Sequence, residues 1–211
     1  MKVAVFGSTG KTGQHVVEQA LARRHAVYAV ARRPESVTLE HENLTVIGGD
    51  ILAPEAWADR LTGVDAVISA LGVGTQRTPT TVFSVGTANI LTAMDQNGIR
   101  RLAVVSAAPA GDWHEEGAFK RLLVYPALQR LFGASYDDMR LMERILVDSH
   151  VDWTVLRPPY LTDRAPKGRY RLAVDGPIKR ATSISRTDLA TALLDAIADD
   201  RLSRRAIAVA W

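Results

Sequence analysis

Three glycines stand three residues apart in Val3-Ala4-Val5-Phe6-Gly7-Ser8-Thr9-Gly10-Lys11-Thr12-Gly13. An apolar run ends at the first of them, and an amphipathic stretch from Gln14 to Arg24 follows the last. Strand, glycine turn and helix in that order make an anion cradle. The helix start offers unpaired backbone N–H groups and a partial positive charge, and residues without side chains let a pyrophosphate come close. The spacing therefore points to a bound dinucleotide. Gly10-Lys11-Thr12 also resembles the end of a P-loop, but that motif needs a glycine where Val5 stands inside the strand. The loop is too short to wrap a triphosphate. The pattern G-x-x-G-x-x-G departs from the usual G-x-G-x-x-G, and a purely structural turn has the same form.

Other residues extend the cradle. Arg32 and Arg33 close the second apolar run, where NAD enzymes carry an acidic residue for the ribose 2′-hydroxyl. Two guanidiniums there suit a 2′-phosphate, which favours NADP over NAD. Asp50, in Gly48-Gly49-Asp50-Ile51, can accept from an adenine amino group or cap the segment that starts near Pro54. Gly72, after Ala70-Leu71, admits backbone close to a cofactor or makes a plain turn. Ser106 ends the fifth apolar run, at the edge where ligands sit in parallel sheets. Its hydroxyl could meet a substrate carbonyl or a nicotinamide, or be satisfied by backbone.

No tyrosine is followed four residues later by lysine. Tyr28, Tyr136 and Tyr160 have arginine there, Tyr125 has Gln129, and Tyr170 has Val174. A tyrosine acid needs a cation that lowers its pKa and a route for the proton, and arginine cannot relay one. Alcohol–ketone chemistry by the usual dehydrogenase route is disfavoured.

The elements that must position these residues follow from the apolar runs. Strands are expected at Lys2–Phe6, Ala26–Ala31, Leu44–Ile47, Ala66–Ser69, Leu102–Ser106, Trp153–Leu156 and Ala206–Ala210. Helices are expected at Lys11–Arg24, Pro54–Leu61, Thr80–Asn97, a broken pair Phe119–Phe132 and Ser135–Ser149, and Arg186–Ala198. Alternation of this kind predicts an α/β fold, a doubly wound parallel sheet in one domain over residues 1–211. The strands lack polar alternation, as strands buried on both faces do. Residues 158–185 hold Pro158, Pro159 and Pro177 and read as an irregular lid on the substrate side.

With 211 residues, 47% of them hydrophobic, the chain can bury one substantial core. A net charge of +3 without any basic run gives no nucleic-acid tail. The absence of cysteine excludes disulfides and thiolate chemistry. His15, His25, His41 and His150 lie apart, and His114-Glu115-Glu116 lacks the helical His pair of a zincin, so no metal site is expected. No run reaches membrane-spanning length, and with a strand starting at Lys2 the expected location is cytoplasmic.

Together, Phe6–Gly13, Gly49-Asp50, Pro79-Thr80-Thr81-Val82, Tyr136-Asp137-Asp138-Met139, Leu156-Arg157-Pro158-Pro159 and Ser185-Arg186-Thr187-Asp188-Leu189 resemble the atypical short-chain dehydrogenase/reductases. The likeness is to the biliverdin reductase B/flavin reductase branch, beside the NmrA-like proteins, over nearly the whole chain. It implies a Rossmann fold with NADPH across the strand ends. Gly7, Thr9, Gly10, Lys11, Thr12 and Gly13 would hold the pyrophosphate; Arg32, Arg33 and Ser36 the 2′-phosphate; Asp50 and Ile51 the adenine; Leu71 and Gly72 the ribose side. Phe83, Ser106, Pro159 and Tyr160 would surround the nicotinamide, with Ser106 and Tyr160 as the catalytic candidates. The family's histidines are replaced by Met139 and Tyr160, which speaks against biliverdin as the natural substrate. Trp113, Phe119, Tyr125, Phe132, Tyr136 and Tyr160 fall in segments expected near the acceptor. The implied activity is hydride transfer to a flavin, tetrapyrrole or quinone by a monomer or small homo-oligomer. The alternative is an NADP(H)-sensing regulator without turnover.

Overall fold

The computed structural model describes residues 1–112, 117–174 and 176–211. Its strands are β1 (Lys2–Phe6), β2 (Ala26–Ala31), β3 (Leu44–Gly48), β4 (Ala66–Ser69), β5 (Arg101–Val105), β6 (Asp152–Arg157), β7 (Tyr160–Thr162), β8 (Arg171–Val174), β9 (Ser183–Ser185) and β10 (Arg205–Ala210). The helices are α1 (Lys11–Ala22), α2 (Ser84–Gln96), α3 (Tyr125–Asp148) and α4 (Arg186–Ala198). The main sheet runs β3-β2-β1-β4-β5-β6-β10-β8. All neighbours pair parallel except β8, which lies antiparallel on β10.

Each central strand divides its side chains between two cores. Val3 and Val5 join the layer under α1 and α4, with Val16, Val17, Leu189 and Leu193. Ala4 and Phe6 join the layer under α2 and α3, with Ile90, Met94, Met142 and Leu146. Ile68 and Val67, then Ala103 and Val104, divide in the same way. A period of two on a sheet covered on both faces turns every residue of a strand into core, so the strands read as unbroken apolar runs. The chain winds outward from β1 to β3 and crosses back to β4. The ends of β1 and β4 thus form the switch point where such sheets open a crevice.

Four expectations are corrected. The segment 54–61 is two short 3₁₀ turns, Pro54–Ala56 and Ala58–Leu61, rather than one helix. Trp57 between them is fully buried, edge-on to Phe6 at 4.8 Å, with its Nε1 donating to Asp50 O, and that anchorage breaks the helical path. Helix α2 starts at Ser84, not Thr80, because Thr80 Oγ1 accepts from Val82 N and Asp138 of α3 accepts from Phe83 N. The expected pair Phe119–Phe132 and Ser135–Ser149 is a π-turn, Lys120–Val124, running into one helix, α3, and the break expected after Phe132 is a kink at that residue (φ −130°, ψ 17°). Residues 158–185 carry three unforeseen strands: β7 pairs with β9 in a small parallel sheet, and β8 extends the main one. A three-residue strand such as Ser183-Ile184-Ser185 is too short to show a period, and its partner supplies the hydrogen bonds that define it. No helix among the described residues is long and apolar enough to cross a membrane.

Candidate functional site

The glycine loop is built by close backbone approach. Gly7 adopts φ +72°, and a Cβ on it would stand 2.5 Å from Ala70 O, so the loops after β1 and β4 touch at the switch point. A Cβ on Gly13 would stand 2.1 Å from Gly7 O. Gly13 is buried and serves the packing of helix on loop. Gly10 differs. It is exposed, extended (φ −75°, ψ 157°), and a Cβ there would meet only Gly7 O, at 3.2 Å. Helix α1 has no side-chain cap and no acidic residue in its first turn, whereas α4 is capped by Ser185 and carries Asp188. The first N–H groups of α1 therefore lack helical partners and point at the space above Gly10.

Arg32 and Arg33 end β2 exposed, and neither guanidinium has a hydrogen-bond or ion-pair partner among the described residues. Ser36 closes the 3₁₀ turn Pro34–Ser36 beside them, its N–H donating to Arg33 O at 3.0 Å. Asp50 Oδ1 accepts from Leu52 N at 3.0 Å, which puts that oxygen on a local turn. Ile51 is buried and Leu71 half-buried, and the two pack around Gly86 of α2. Gly72 is exposed with open space around its Cβ position. Thr9 is exposed and Thr12 half-buried at the start of α1.

Lys11 does not stand free over the cradle. Its Nζ lies 2.6 Å from Asp163 Oδ2, just past β7, and Arg186 at the start of α4 also bonds Asp163. This clasp joins the glycine loop to the segment after β6. The Lys11 hydrogen bond, with Arg186 adding to it, holds the Asp163 carboxyl below the usual carboxylate range. The clasp is thus closed at neutral pH and loosens only as acid protonates Asp163. A phosphate at the cradle would compete with Asp163 for Lys11. Asp163→Asn is expected to tighten cofactor binding up to about fivefold at low ionic strength, the scale of one exposed ion pair. Fluorescence titration at two salt concentrations checks this; equal affinities at low salt would mean that Lys11 does not reach the anion.

At the other end of the cleft the expected constellation is not assembled as anticipated. Phe83 is 1% exposed, its ring packed in the α2–α3 core. Tyr160 opens β7 with 74% of its surface exposed, and Pro159 before it is half-buried. Ser106 is buried, and its Oγ lies 2.6 Å from Glu143 Oε1 on α3. Arg157, at the end of β6, grips Glu143 in a two-pronged pair, Nε to Oε1 at 3.1 Å and NH2 to Oε2. No hydrogen bond joins Ser106 to Tyr160 among the described residues. Glu143 was not foreseen, and Arg157 was noted only within a motif. Arg157 closing an apolar strand was the one hint in the sequence, and the exposed Arg32 after β2 shows that such a residue does not by itself imply a buried acid.

Of the aromatics, Tyr125 is buried, Phe119 is exposed, and Trp113 lies outside the described residues, as does the His114–Glu116 stretch. Phe132 and Tyr136 meet edge to face at 6.5 Å, and the Arg77 guanidinium stands 5.8 Å over the Phe132 ring. Burial raises the Tyr136 phenol above its ordinary pKa, so it stays protonated near neutrality.

An uncapped helix start above a glycine-rich loop, at the switch point of a doubly wound sheet, defines a dinucleotide-binding protein. The chain belongs to the NAD(P)H-binding family, whose model matches residues 7–200. It is 28% identical over 219 residues to an uncharacterized chloroplastic protein of Arabidopsis thaliana, covering 99% of this chain and 76% of that one. Among solved structures, a short-chain dehydrogenase/reductase from Veillonella parvula in complex with NADP superposes with a TM-score of 0.81 at 21% identity, over 100% of this chain and 94% of the other. The anaerobillin reductase ChuY of Escherichia coli O157:H7 gives 0.79 at 21% identity, over 100% and 97%. The fold is thus Rossmann-type.

Proposed function

We propose that this protein is an NADPH-dependent reductase that passes hydride to a planar conjugated acceptor such as a flavin. The observation that carries the reading is a strand-end site with an anion cradle and two arginines without a partner among the described residues, in a chain with no Tyr-x-x-x-Lys to donate a proton. Ser106 donates its hydroxyl hydrogen bond to Glu143, and Tyr160 has Arg164, which cannot relay a proton, in the register where a lysine would serve. When bound, NADPH supplies the hydride. The first turn of α1 and the space over Gly10 fit a pyrophosphate, and Arg32 and Arg33 fit a 2′-phosphate. A conjugated acceptor spreads the negative charge it gains, so its proton can come from solvent, and the chain's task is to align two rings. Phe132, Tyr136 and Arg77 offer a stacking surface for one of them. The NADP-bound short-chain dehydrogenase/reductase and the anaerobillin reductase of the same fold support this direction.

A second reading, an NADP(H) sensor that binds a partner without turnover, is favoured by Phe119, Leu122 and Leu123, each at least 61% exposed ahead of α3. One experiment separates the two: loss of nicotinamide absorbance from NADPH with FMN, a quinone or a tetrapyrrole. Turnover supports the reductase; tight NADPH binding with no turnover on any acceptor supports the sensor. If solvent supplies the proton, no side chain is indispensable. Ser106→Ala and Tyr160→Phe, with cofactor saturating, are each expected to slow FMN turnover by about tenfold or less, the scale of one hydrogen bond. A loss of several thousandfold in either would reveal a specific acid and exclude the solvent route.

A further inference from the structure

The chain Arg157–Glu143–Ser106 has a direction. A guanidinium can only donate, and a carboxylate held by it only accepts. The 2.6 Å contact from Ser106 Oγ to Glu143 Oε1 is therefore a bond donated by the hydroxyl. Serine has one proton, so what remains on Oγ is lone pairs. Turning the hydroxyl round would break a charge-assisted bond and leave a nearly buried carboxylate, 12% exposed, one donor short.

The surroundings hold this arrangement in place. Ser106 N donates to Leu156 O at 2.9 Å, which fixes the end of β5 against β6. The backbone after β5 packs on the arginine, since a Cβ on Gly111 would stand 3.0 Å from Arg157 NH1. Arg140 NH2 ties the same loop to α3 through Pro109 O, at 3.0 Å. Three elements thus converge on one hydroxyl at the carboxyl end of β5. That end lies two strands from the glycine loop of β1, on the edge across which a dinucleotide extends.

We propose that Glu143 and Arg157 are positioning residues that present Ser106 as a hydrogen-bond acceptor to the carboxamide N–H₂ of the nicotinamide. This rests on the NADPH reading above. It gives Ser106 the role opposite to that of a hydroxyl donating to a substrate carbonyl, and it explains why a serine at this strand end is paired with an acid rather than left to rotate.

The test is equilibrium binding. Affinities for NADPH and for its 3-acetylpyridine analogue, where a methyl ketone replaces the carboxamide and removes the N–H₂, are measured for the unaltered protein, Ser106→Ala and Glu143→Gln. The unaltered protein is expected to prefer NADPH by about five- to tenfold, the scale of one hydrogen bond. Both variants are expected to lose that preference, chiefly by weaker NADPH binding. Ser106→Ala is the discriminating change because it removes only the hydroxyl. Ser106 and Arg157 Nε share Glu143 Oε1 while Arg157 NH2 takes Oε2, so Glu143→Gln, with one acceptor oxygen, must set its amide N–H₂ against one of these donors and loosens the arrangement that orients the serine. Circular dichroism establishes folding; if Glu143→Gln does not fold, Ser106→Ala, which removes only the hydroxyl, decides alone. A folded Ser106→Ala protein that keeps the full preference overturns the proposal while leaving the cofactor reading intact. Failure of the unaltered protein to bind NADPH overturns both.

Discussion

Replacing Gly10 with valine is expected to abolish cofactor binding and leave the protein folded. The backbone at Gly10 is extended, a conformation open to any residue, and the nearest atom to a new Cβ is 3.2 Å away, so a few tenths of an ångström of adjustment suffice. The branched side chain would then fill the space above the first turn of α1, where the unpaired N–H groups point. The neighbouring glycines behave differently. Gly13→Ala would set a Cβ 2.1 Å from Gly7 O, and Gly7→Ala would meet Ala70 O at 2.5 Å while holding φ at +72°. Neither clash is with the far end of a flexible side chain, so both changes should destabilise the fold itself. Circular dichroism, thermal unfolding and NADPH titration on the three variants check this. A folded Gly10→Val protein with unaltered NADPH affinity would remove the loop from the site, and a Gly13→Ala protein as stable as the parent would contradict the packing.

The Arg32→Ala/Arg33→Ala double variant is expected to lose most of a preference for NADPH over NADH. Hydrogen bonds between a guanidinium and a phosphate contribute about 1.5–3 kcal/mol, which corresponds to about ten- to a hundredfold in affinity. Both side chains are exposed at the end of β2 and have no competing partner among the described residues, so nothing in the fold is disturbed by their loss. NADH affinity should change little, and the preference should shrink with added salt because the contact is open to solvent. Equal affinity of the unaltered protein for both cofactors would overturn the assignment.

How much of this was legible in the chain depends on the range of the interaction. Seven of the ten strands and the limits of α4 follow from apolar runs and turn residues, which are local signals. The doubly wound order follows from the alternation of those runs with helical segments. The glycine loop and the arginine pair were equally readable, because backbone freedom and the end of β2 are properties of short stretches.

What the tertiary structure decided is partnership across long separations. Whether Lys11 faces a phosphate or Asp163, 152 residues away, is not written in either neighbourhood. Phe83 sits beside a motif yet turns into the core, because Asp138 of α3 takes its amide and fixes the start of α2. Ser106 was visible as a strand-end hydroxyl, but the direction of its proton was not. That direction is set by Glu143, 37 residues on, and by Arg157 from the next strand. A sequence read by period and turn chemistry places backbone. The state of a buried polar side chain depends on which charged groups the fold brings within hydrogen-bond distance, and only the packed sheet with α3 against it determines that.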